Sequence, residues 1–307
     1  MNFQVSSEDE IVVFPHGEAG YNCTRIPSIL TTSAGTLLAF GEARMFTCHD
    51  NIQIDIVYKR SLDNGKTWSS LQVLYRGNSS GENYNWVGNF APVQLKYNQR
   101  ILVPFCKNNL IVMQTYSDDD GLIFSQPQII LNVTKPNWKW VALGPPGGLL
   151  LQSNRILIPG DYSTNSNVIS GSSSTGFVML NDFNGQIDKC NNGGITFNKV
   201  KVLNTLVQPL HGCEGSTIYH KNTGQLFYTG LAEISTTRAN LSLHMSHDNG
   251  EHWTYIKTIC PDSSGYSSMT ILNDQSIGLL YEKGSIMGGP ASLTFTIIYN
   301  QTTWNIL

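Results

Sequence analysis

The chain has 307 residues, of which 40% are hydrophobic and only 13% are charged. Charged residues usually make up about 25% of a globular protein, so this composition excludes a disordered chain and a helical array stabilised by surface ion pairs. The 19 basic and 22 acidic side chains give a net charge of −3, so nucleic acid is not expected as a partner. No apolar run reaches the roughly 18 residues that a transmembrane segment needs.

Two features bear on the compartment, and they leave it open. The first ten residues, MNFQVSSEDE, are acidic where an export signal would be basic and then apolar, so the signal is expected to be either absent or removed. A removed signal would imply a lysosomal or extracellular protein, and its absence a cytoplasmic one. Asn-x-Ser/Thr sequons favour export, although such triplets also arise by chance. They begin at Asn22, Asn78, Asn132, Asn240 and Asn300.

One eight-residue pattern, Ser-x-Asp-x-Gly-x-Thr-Trp, recurs along the chain. The copies start at Ser61, Ser117, Cys190 and Ser246, so they are 56, 73 and 56 residues apart; the third copy is the most degenerate. The Asp accepts hydrogen bonds from backbone N–H groups of a turn, and the Gly supplies a positive φ. The closing aromatic ring packs against neighbouring strands. Each copy therefore predicts a hairpin turn, and the spacing suits one four-stranded sheet with its connections.

Short alternating or β-branched runs predict the strands, and helical periodicity is nearly absent, which indicates an all-β fold. In chain order the predicted strands include Ile11–Phe14, Ile54–Tyr58, Leu110–Met113, Leu241–Met245, Tyr266–Ile271, Ile277–Tyr281 and Leu293–Tyr299. A repeat of this length predicts a propeller rather than a sandwich. Residues 1–307 are predicted to form a single β-propeller domain, with 161–176 as a loop inserted into one blade. The first strand is expected to close the last sheet.

The repeated turn resembles the Asp box of sialidases, and further motifs follow in the order that this family has them. These are Arg25-Ile-Pro27, the strand Gly35 to Arg44, Gly265-Tyr266-Ser-Ser, and Leu280-Tyr-Glu282-Lys-Gly284. The resemblance covers about Tyr21 to Tyr299 and is strongest to animal lysosomal sialidase. It implies a six-bladed sialidase-type propeller that hydrolyses terminal sialic acids from glycoproteins, oligosaccharides and gangliosides. It implies neither a cofactor nor a metal.

Sialic acid carries a carboxylate, so its site needs fixed cations, and arginine binds carboxylates with two parallel hydrogen bonds. By resemblance, Arg25 and Arg238 are the first and third members of the arginine triad of the family. Arg44 is similar to a further substrate-binding residue. Glu42 resembles the glutamate that steadies the first arginine, which makes it an orienting residue.

Three residues are the catalytic candidates. Tyr266 resembles the nucleophile of sialidases, which differ from most retaining glycosidases in using tyrosine. A neutral nucleophile avoids repulsion by the carboxylate at the anomeric carbon, but a phenol with a pKa of about 10 needs a neighbouring base. Glu214, at the start of a sheet, is the candidate base. Asp50, in a polar loop, resembles the general acid and base.

The sequence departs from the family at one point. Gly230 stands sixteen residues after Glu214, where the family has its second triad arginine, and five sheets can be counted instead of six. The chain is then either a compressed propeller in which Glu214 activates Tyr266, or a catalytically impaired propeller that binds glycans or proteins. A propeller glycosidase with another sugar specificity would keep the same motifs. Replacement cations could come from Arg100, Lys107 or Arg155.

Overall fold

The computed structural model describes residues 10–50, 52–78, 85–164, 201–203, 205–207, 209, 212–284 and 291–300, with the backbone of short strands at 3–5 and 186–187. The strands are β1 (Phe3–Val5), β2 (Ile11–Phe14), β3 (Cys23–Thr31), β4 (Leu37–Arg44), β5 (Ile54–Ser61), β6 (Gln72–Tyr75), β7 (Val87–Gly88), β8 (Val93–Gln94), β9 (Ile101–Lys107), β10 (Ile111–Ser117), β11 (Gln128–Ile129), β12 (Trp140–Leu143), β13 (Leu149–Leu150), β14 (Ile156–Leu157), β15 (Gly160–Ser163), β16 (Gln186–Ile187), β17 (Lys201–Val202), β18 (Ser216–His220), β19 (Gln225–Leu231), β20 (Ala239–Ser246), β21 (Thr254–Ile271), β22 (Ile277–Gly284) and β23 (Ala291–Asn300). One 3-10 turn, Glu18–Gly20, is the helical structure in this part of the chain. The described residues contain no helix that could span a membrane.

Successive antiparallel sheets, as in the blades of a propeller, confirm the all-β prediction. One sheet has the order β3-β4-β5-β6, another β11-β10-β9-β7 with β8 also on β9, and the largest β1-β23-β22-β21-β20-β19-β18 with β2 also on β23. The pairs β12-β15, β13-β14 and β16-β17 stand between them in sequence. Most residues between 164 and 201 lie outside the described part of the chain. The third turn repeat, most of the predicted inserted loop and the choice between five and six blades therefore stay predictions.

Strand β21 belongs to two blades. It pairs with β20 as far as Ser263, which is opposite Ala239, and with β22 from Ser264 onward. The last two blades are consequently one continuous sheet. Strand β2 pairs with β23, with Ile11 opposite Phe295, so the predicted closure of the last sheet by Ile11–Phe14 is confirmed.

Hydroxyl side chains bridge the inner strands of neighbouring blades. The backbone N–H of Ile29 on β3 donates to Ser268 Oγ on β21 at 3.1 Å. The N–H of Met269 on β21 donates to Ser216 Oγ on β18 at 2.9 Å. Both bonds are buried. They give acceptors to two backbone N–H groups that would destabilise the fold if they were buried without a partner. These bonds connect β3, β21 and β18. Arg25 lies on β3, Tyr266 on β21, and Glu214 just before β18.

The turn repeats have the geometry that their sequence predicts. Ser61 Oγ donates to Asp63 Oδ1 at 2.8 Å and accepts from the N–H of Gly65 at 2.9 Å, while Asp63 Oδ1 accepts from the N–H of Thr67 at 2.9 Å. Gly65 has φ +85°. Equivalent serine and aspartate bonds occur in the copies at 117–121 and 246–250. These turns lie at the ends of the strands, and their serine and aspartate hydrogen bonds join residues within a few positions of one another.

Gly65 is also a point of close approach, and this predicts a measurable difference between two glycines. A Cβ at Gly65 would lie 2.2 Å from the ring of Phe295, whereas a Cβ at Gly224, with φ +67°, would meet nothing within 4 Å. We expect Gly224→Ala to cost about 1–2 kcal/mol for its left-handed backbone. Gly65→Ala should cost about 1–3 kcal/mol more for overpacking. Unfolding in urea measures both variants, and equal losses would contradict the packing argument.

Candidate active site

Arg25 lies in a bulge of β3. The pairing of β3 with β4 shifts register between Arg25 and Ser28. Ile26, within this irregularity, has φ +58°, a left-handed conformation that β-branched residues rarely adopt. Bulges often redirect a side chain near a functional site. Here the bulge carries Arg25, whose side chain is 7% exposed and forms an ion pair with a buried carboxylate.

That carboxylate belongs to Glu282 on β22, and it is completely buried. Glu282 Oε1 accepts from Arg25 Nε and from the backbone N–H of Ile26, both at 3.0 Å. Glu282 Oε2 accepts from the backbone N–H of Tyr266 at 3.1 Å. Burial by itself would raise the pKa of Glu282, but Arg25 and these hydrogen bonds outweigh it and lower the pKa below the usual value. One ionised carboxylate thus fixes both Arg25 and the strand that carries Tyr266.

The expectation that Glu42 steadies Arg25 is wrong. Glu42 is opposite Arg25 in the pairing of β3 with β4, but its Oε2 accepts from Arg44 NH2 at 2.7 Å. Its Oε1 accepts from the backbone N–H of Asn89 at 3.0 Å. The approach is so close that a Cβ at Gly88 would lie 1.9 Å from Oε1. The physical reason is position. Arg44 lies two residues after Glu42 on the same face of β4, whereas Arg25 is already paired with Glu282.

Asp50 lies at the end of the loop that follows β4, with its side chain 66% exposed. Its Oδ1 accepts from Arg44 NH1 at 2.7 Å and from Arg25 NH1 at 3.5 Å. Partial burial would raise the pKa of Asp50, but Arg44 and Arg25 together lower it. The structure thus brings Arg25, Arg44 and Asp50 together.

A disulfide joins this loop to the first blade. Cys23 and Cys48 are bonded across 25 residues of sequence, with 5.9 Å between their Cα atoms. The sequence left the pairing of its six cysteines open. Among the described cysteines, Cys106, Cys213 and Cys260 are buried, and Cys106 and Cys260 are free thiols.

Tyr266, on β21, lies beside two arginines. The guanidinium carbons of Arg25 and Arg238 are 5.6 and 4.9 Å from the centroid of its ring. Arg238 NH2 also donates to the carbonyl of Gly212 at 2.9 Å. Burial raises the pKa of Tyr266 and nearby Glu214 adds to this, so that the two arginines only partly compensate. The phenol is therefore neutral at ordinary pH and would need a base to become a nucleophile.

Glu214, just before β18, is the least satisfied member of the cluster. Its Oε2 is buried without a hydrogen-bond partner among the described residues. Burial raises the pKa of Glu214 well above its usual value, and neighbouring Asp161 raises it further, while Arg238 opposes the change. The structure brings Glu214 close enough to Tyr266 to affect its pKa. No hydrogen bond between their side chains occurs in the described part of the chain.

No replacement for the second triad arginine is found at the predicted positions. Gly230 has no space for a side chain, because a Cβ there would lie 2.2 Å from the hydroxyl of Tyr228. Arg100 instead binds Asp118 at 2.7 Å and stacks on Tyr116. Arg155 is exposed in the turn between β13 and β14. Lys107 is half-buried at the end of β9. In the part of the chain that the structure describes, the cations recorded over Tyr266 are Arg25 and Arg238.

Two site residues escaped the sequence interpretation. Glu282 was visible only as part of a motif, with no role assigned, because its partner Arg25 is 257 residues away in sequence. Asp161, on β15, influences Glu214 from another blade. A lone Asp at the edge of a Gly- and Ser-rich stretch carries no local signal of this proximity.

Comparisons with known proteins fit this arrangement. The chain is 24% identical over 340 residues to an exo-alpha-sialidase of Aspergillus fumigatus, covering 91% of this chain and 83% of that protein. It is also 24% identical to a sialidase of Micromonospora viridifaciens, again over 91% of this chain but about half, 52%, of that longer protein. No family model matches the chain.

Solved structures agree at the level of the fold. The Hadza microbial sialidase Hz136 superposes with a TM-score of 0.77 at 20% identity, over 94% of this chain and 68% of that one. The chain is related to the sialidases. An intramolecular trans-sialidase from Ruminococcus gnavus has a TM-score of 0.75 at 14% identity, over 98% of this chain and 100% of that one. The sialidase-type propeller predicted from the Asp boxes is thereby confirmed.

The buried bond between Arg25 and Glu282 predicts a large loss of stability when its charge is removed. Glu282→Gln should cost about 3–5 kcal/mol, because it leaves the guanidinium buried without a counter-charge. Asp118→Asn is the matched control, since it breaks an ion pair with Arg100 whose side chains are 33% and 52% exposed. Such exposed pairs contribute little. Urea unfolding compares the two variants, and similar midpoints would contradict a structural role for Glu282.

Proposed function

We propose that this protein is an exo-sialidase that removes terminal sialic acids from glycoconjugates with retention of configuration. The observation that carries the proposal is the phenol of Tyr266 beside the guanidinium groups of Arg25 and Arg238. A substrate with an anionic carboxylate at its reacting carbon suits a neutral nucleophile flanked by fixed cations. Glycoproteins, oligosaccharides and gangliosides that end in sialic acid are the proposed substrates.

In the proposed reaction, Arg25 and Arg238 bind the carboxylate of the sugar. Glu214 accepts the proton of the Tyr266 hydroxyl, whose oxygen bonds to the anomeric carbon. The glycosidic C–O bond breaks, and Asp50 donates a proton to the departing oxygen. Asp50, now ionised, accepts a proton from water, which attacks the anomeric carbon. The bond to Tyr266 breaks, and the proton held by Glu214 returns to the phenol. Two displacements give net retention.

The surroundings of Asp50 suit these two roles. In the free protein Arg44 and Arg25 favour its ionised form. A bound substrate carboxylate would share Arg25 and add negative charge, which favours protonation of Asp50 before the first step. Departure of the leaving group then leaves Arg44 to stabilise the carboxylate that activates water. Arg44 itself is fixed by Glu42, which we propose as its orienting residue.

Among the described residues, Arg25 and Arg238 lie beside Tyr266, and the resemblance implies a third arginine there, which bears on affinity. A charged hydrogen bond contributes about 1.5–3 kcal/mol, so we expect weaker carboxylate binding than a triad would give. We expect this weakness to appear as a high KM rather than as loss of the chemical step.

A glycan-binding propeller without turnover is the second candidate. The observation that favours it is Glu214, whose Oε2 has no hydrogen-bond partner among the described residues. Such a protein would use Arg25 and Arg238 for binding and leave the tyrosine idle.

A fluorogenic aryl sialoside separates the two candidates. We expect release of the fluorophore by the unaltered protein, and a loss of at least about 10³-fold in Tyr266→Phe because the nucleophile is gone. Tyr219→Phe, at a tyrosine that is 55% exposed, is the matched control and should keep full activity. A folded protein that binds sialosides on a glycan array but releases nothing would replace the enzyme proposal with the binding one.

The pH dependence tests Glu214 as the base. Glu214 accepts a proton only above its own pKa, and burial places that pKa above the usual 4.5. An aryl leaving group needs no proton from Asp50, so kcat/KM for this substrate should rise with pH through an apparent pKa above 4.5. A pH–rate profile measures it. An acid limb at or below the ordinary value for glutamate would contradict the assignment.

A further inference from the structure

The loop that carries Asp50 has few contacts of its own. Phe46 is 64% exposed and the side chain of Asp50 66% exposed. Arg44 NH1 provides two of its polar contacts, because it donates to the carbonyl of Cys48 at 2.6 Å and to Asp50 Oδ1 at 2.7 Å. The loop is defined here as residues 45–50. Met45 packs against a core cluster, whereas Phe46, Thr47, His49 and Asp50 are exposed. The part of the loop that carries Asp50 is thus not fixed by apolar packing.

The disulfide supplies the missing constraint. Cys23 is buried on β3, two residues before Arg25, and Cys48 is two residues before Asp50. The covalent bond therefore ties the loop, two residues before the proposed acid, to the strand that carries Arg25. Each cysteine lies two residues before one member of the pair Arg25 and Asp50. The relative position of these two side chains decides whether the proton of Asp50 can reach the leaving oxygen.

The ion pairs alone cannot hold Asp50 throughout the proposed reaction. When Asp50 is protonated it loses most of its attraction to Arg44 and Arg25. A bound carboxylate also competes for Arg25, which is already 3.5 Å from Asp50. The moment at which Asp50 must donate its proton is therefore the moment at which charge holds it least. A covalent bond is unaffected by either change.

We propose that the Cys23–Cys48 disulfide is a positioning element for Asp50, which keeps the proposed acid and base in reach of the leaving oxygen. This inference rests on the proposed function. Catalytic groups need placement within about 0.5 Å, and a displacement of about 1 Å can cost 100-fold. The effect should be confined to steps that need a proton from Asp50.

Two substrates with different leaving groups provide the test. Sialyllactose has a poor leaving group that needs the proton, whereas an aryl sialoside does not. We expect Cys23→Ser/Cys48→Ser to lower kcat for sialyllactose roughly 10- to 100-fold, with little change for the aryl sialoside. Asp50→Asn should show the same selectivity. Cys106→Ala removes a buried free cysteine outside the loop, and it should leave the ratio of the two rates unchanged.

A double-mutant cycle shows whether the disulfide acts through Asp50. In the Asp50→Asn background, removing both cysteines should lower the rates no further. An equal loss on both substrates, or an added loss in that background, would overturn the proposal in favour of a general effect on folding. Detection of free thiols at Cys23 and Cys48 in the unreduced protein by mass spectrometry would also overturn it.

Amide hydrogen exchange tests the positioning role of the disulfide without relying on enzyme activity. Amide exchange in residues 45–50 should speed up when both cysteines are replaced, while exchange in β4 stays unchanged. If the unaltered protein turns over neither substrate, the proposed function fails. Exchange in the loop then decides the positioning role alone, and unchanged exchange overturns it.

Discussion

The candidate site depends on one buried carboxylate. Glu282 has no exposed surface, yet it remains ionised because Arg25 and backbone N–H groups surround it. The free energy of burying a charge is offset only when geometry and counter-charge are both good. In return, Glu282 fixes a guanidinium on the first blade and the backbone of Tyr266 on the last. The two halves of the proposed site, which are distant in sequence, meet through this group.

From that bond an alternating series of charges continues outward. Arg25 faces Asp50, Asp50 faces Arg44, and Arg44 faces Glu42. Each charge has a partner of opposite sign, and Arg44 and Arg25 together lower the pKa of Asp50. Glu214 is the contrast, since it is held beside Tyr266 with one oxygen unpaired. On one side of the proposed site Arg25 and Arg238 provide positive charge. On the other side Glu214, the proposed base, has one carboxylate oxygen without a hydrogen-bond partner among the described residues.

The sequence allowed prediction where the interactions are local. The Asp-box turns could be predicted because Ser61, Asp63 and Gly65 bond within a few residues. Tyr266 and Arg25 were identified because each stands in a short motif. The partner of Arg25 could not be identified in this way, since Glu282 lies 257 residues further on. The resemblance indicated Glu42 instead, and its position opposite Arg25 on the next strand did not decide where its carboxylate would bind.

The shared strand β21 has a consequence for how the site tolerates change. Tyr266 lies three residues past Ser263, where β21 passes from one blade to the next. Glu282 and Tyr266 are carried by strands of the same sheet that Ile11–Phe14 closes. The strand that closes the last sheet and the strand that carries Tyr266, the proposed nucleophile, therefore belong to one continuous sheet. We expect substitutions in the strand Ile11–Phe14 to affect Tyr266 through β23 and β22, the two strands that lie between that strand and β21 in the sheet.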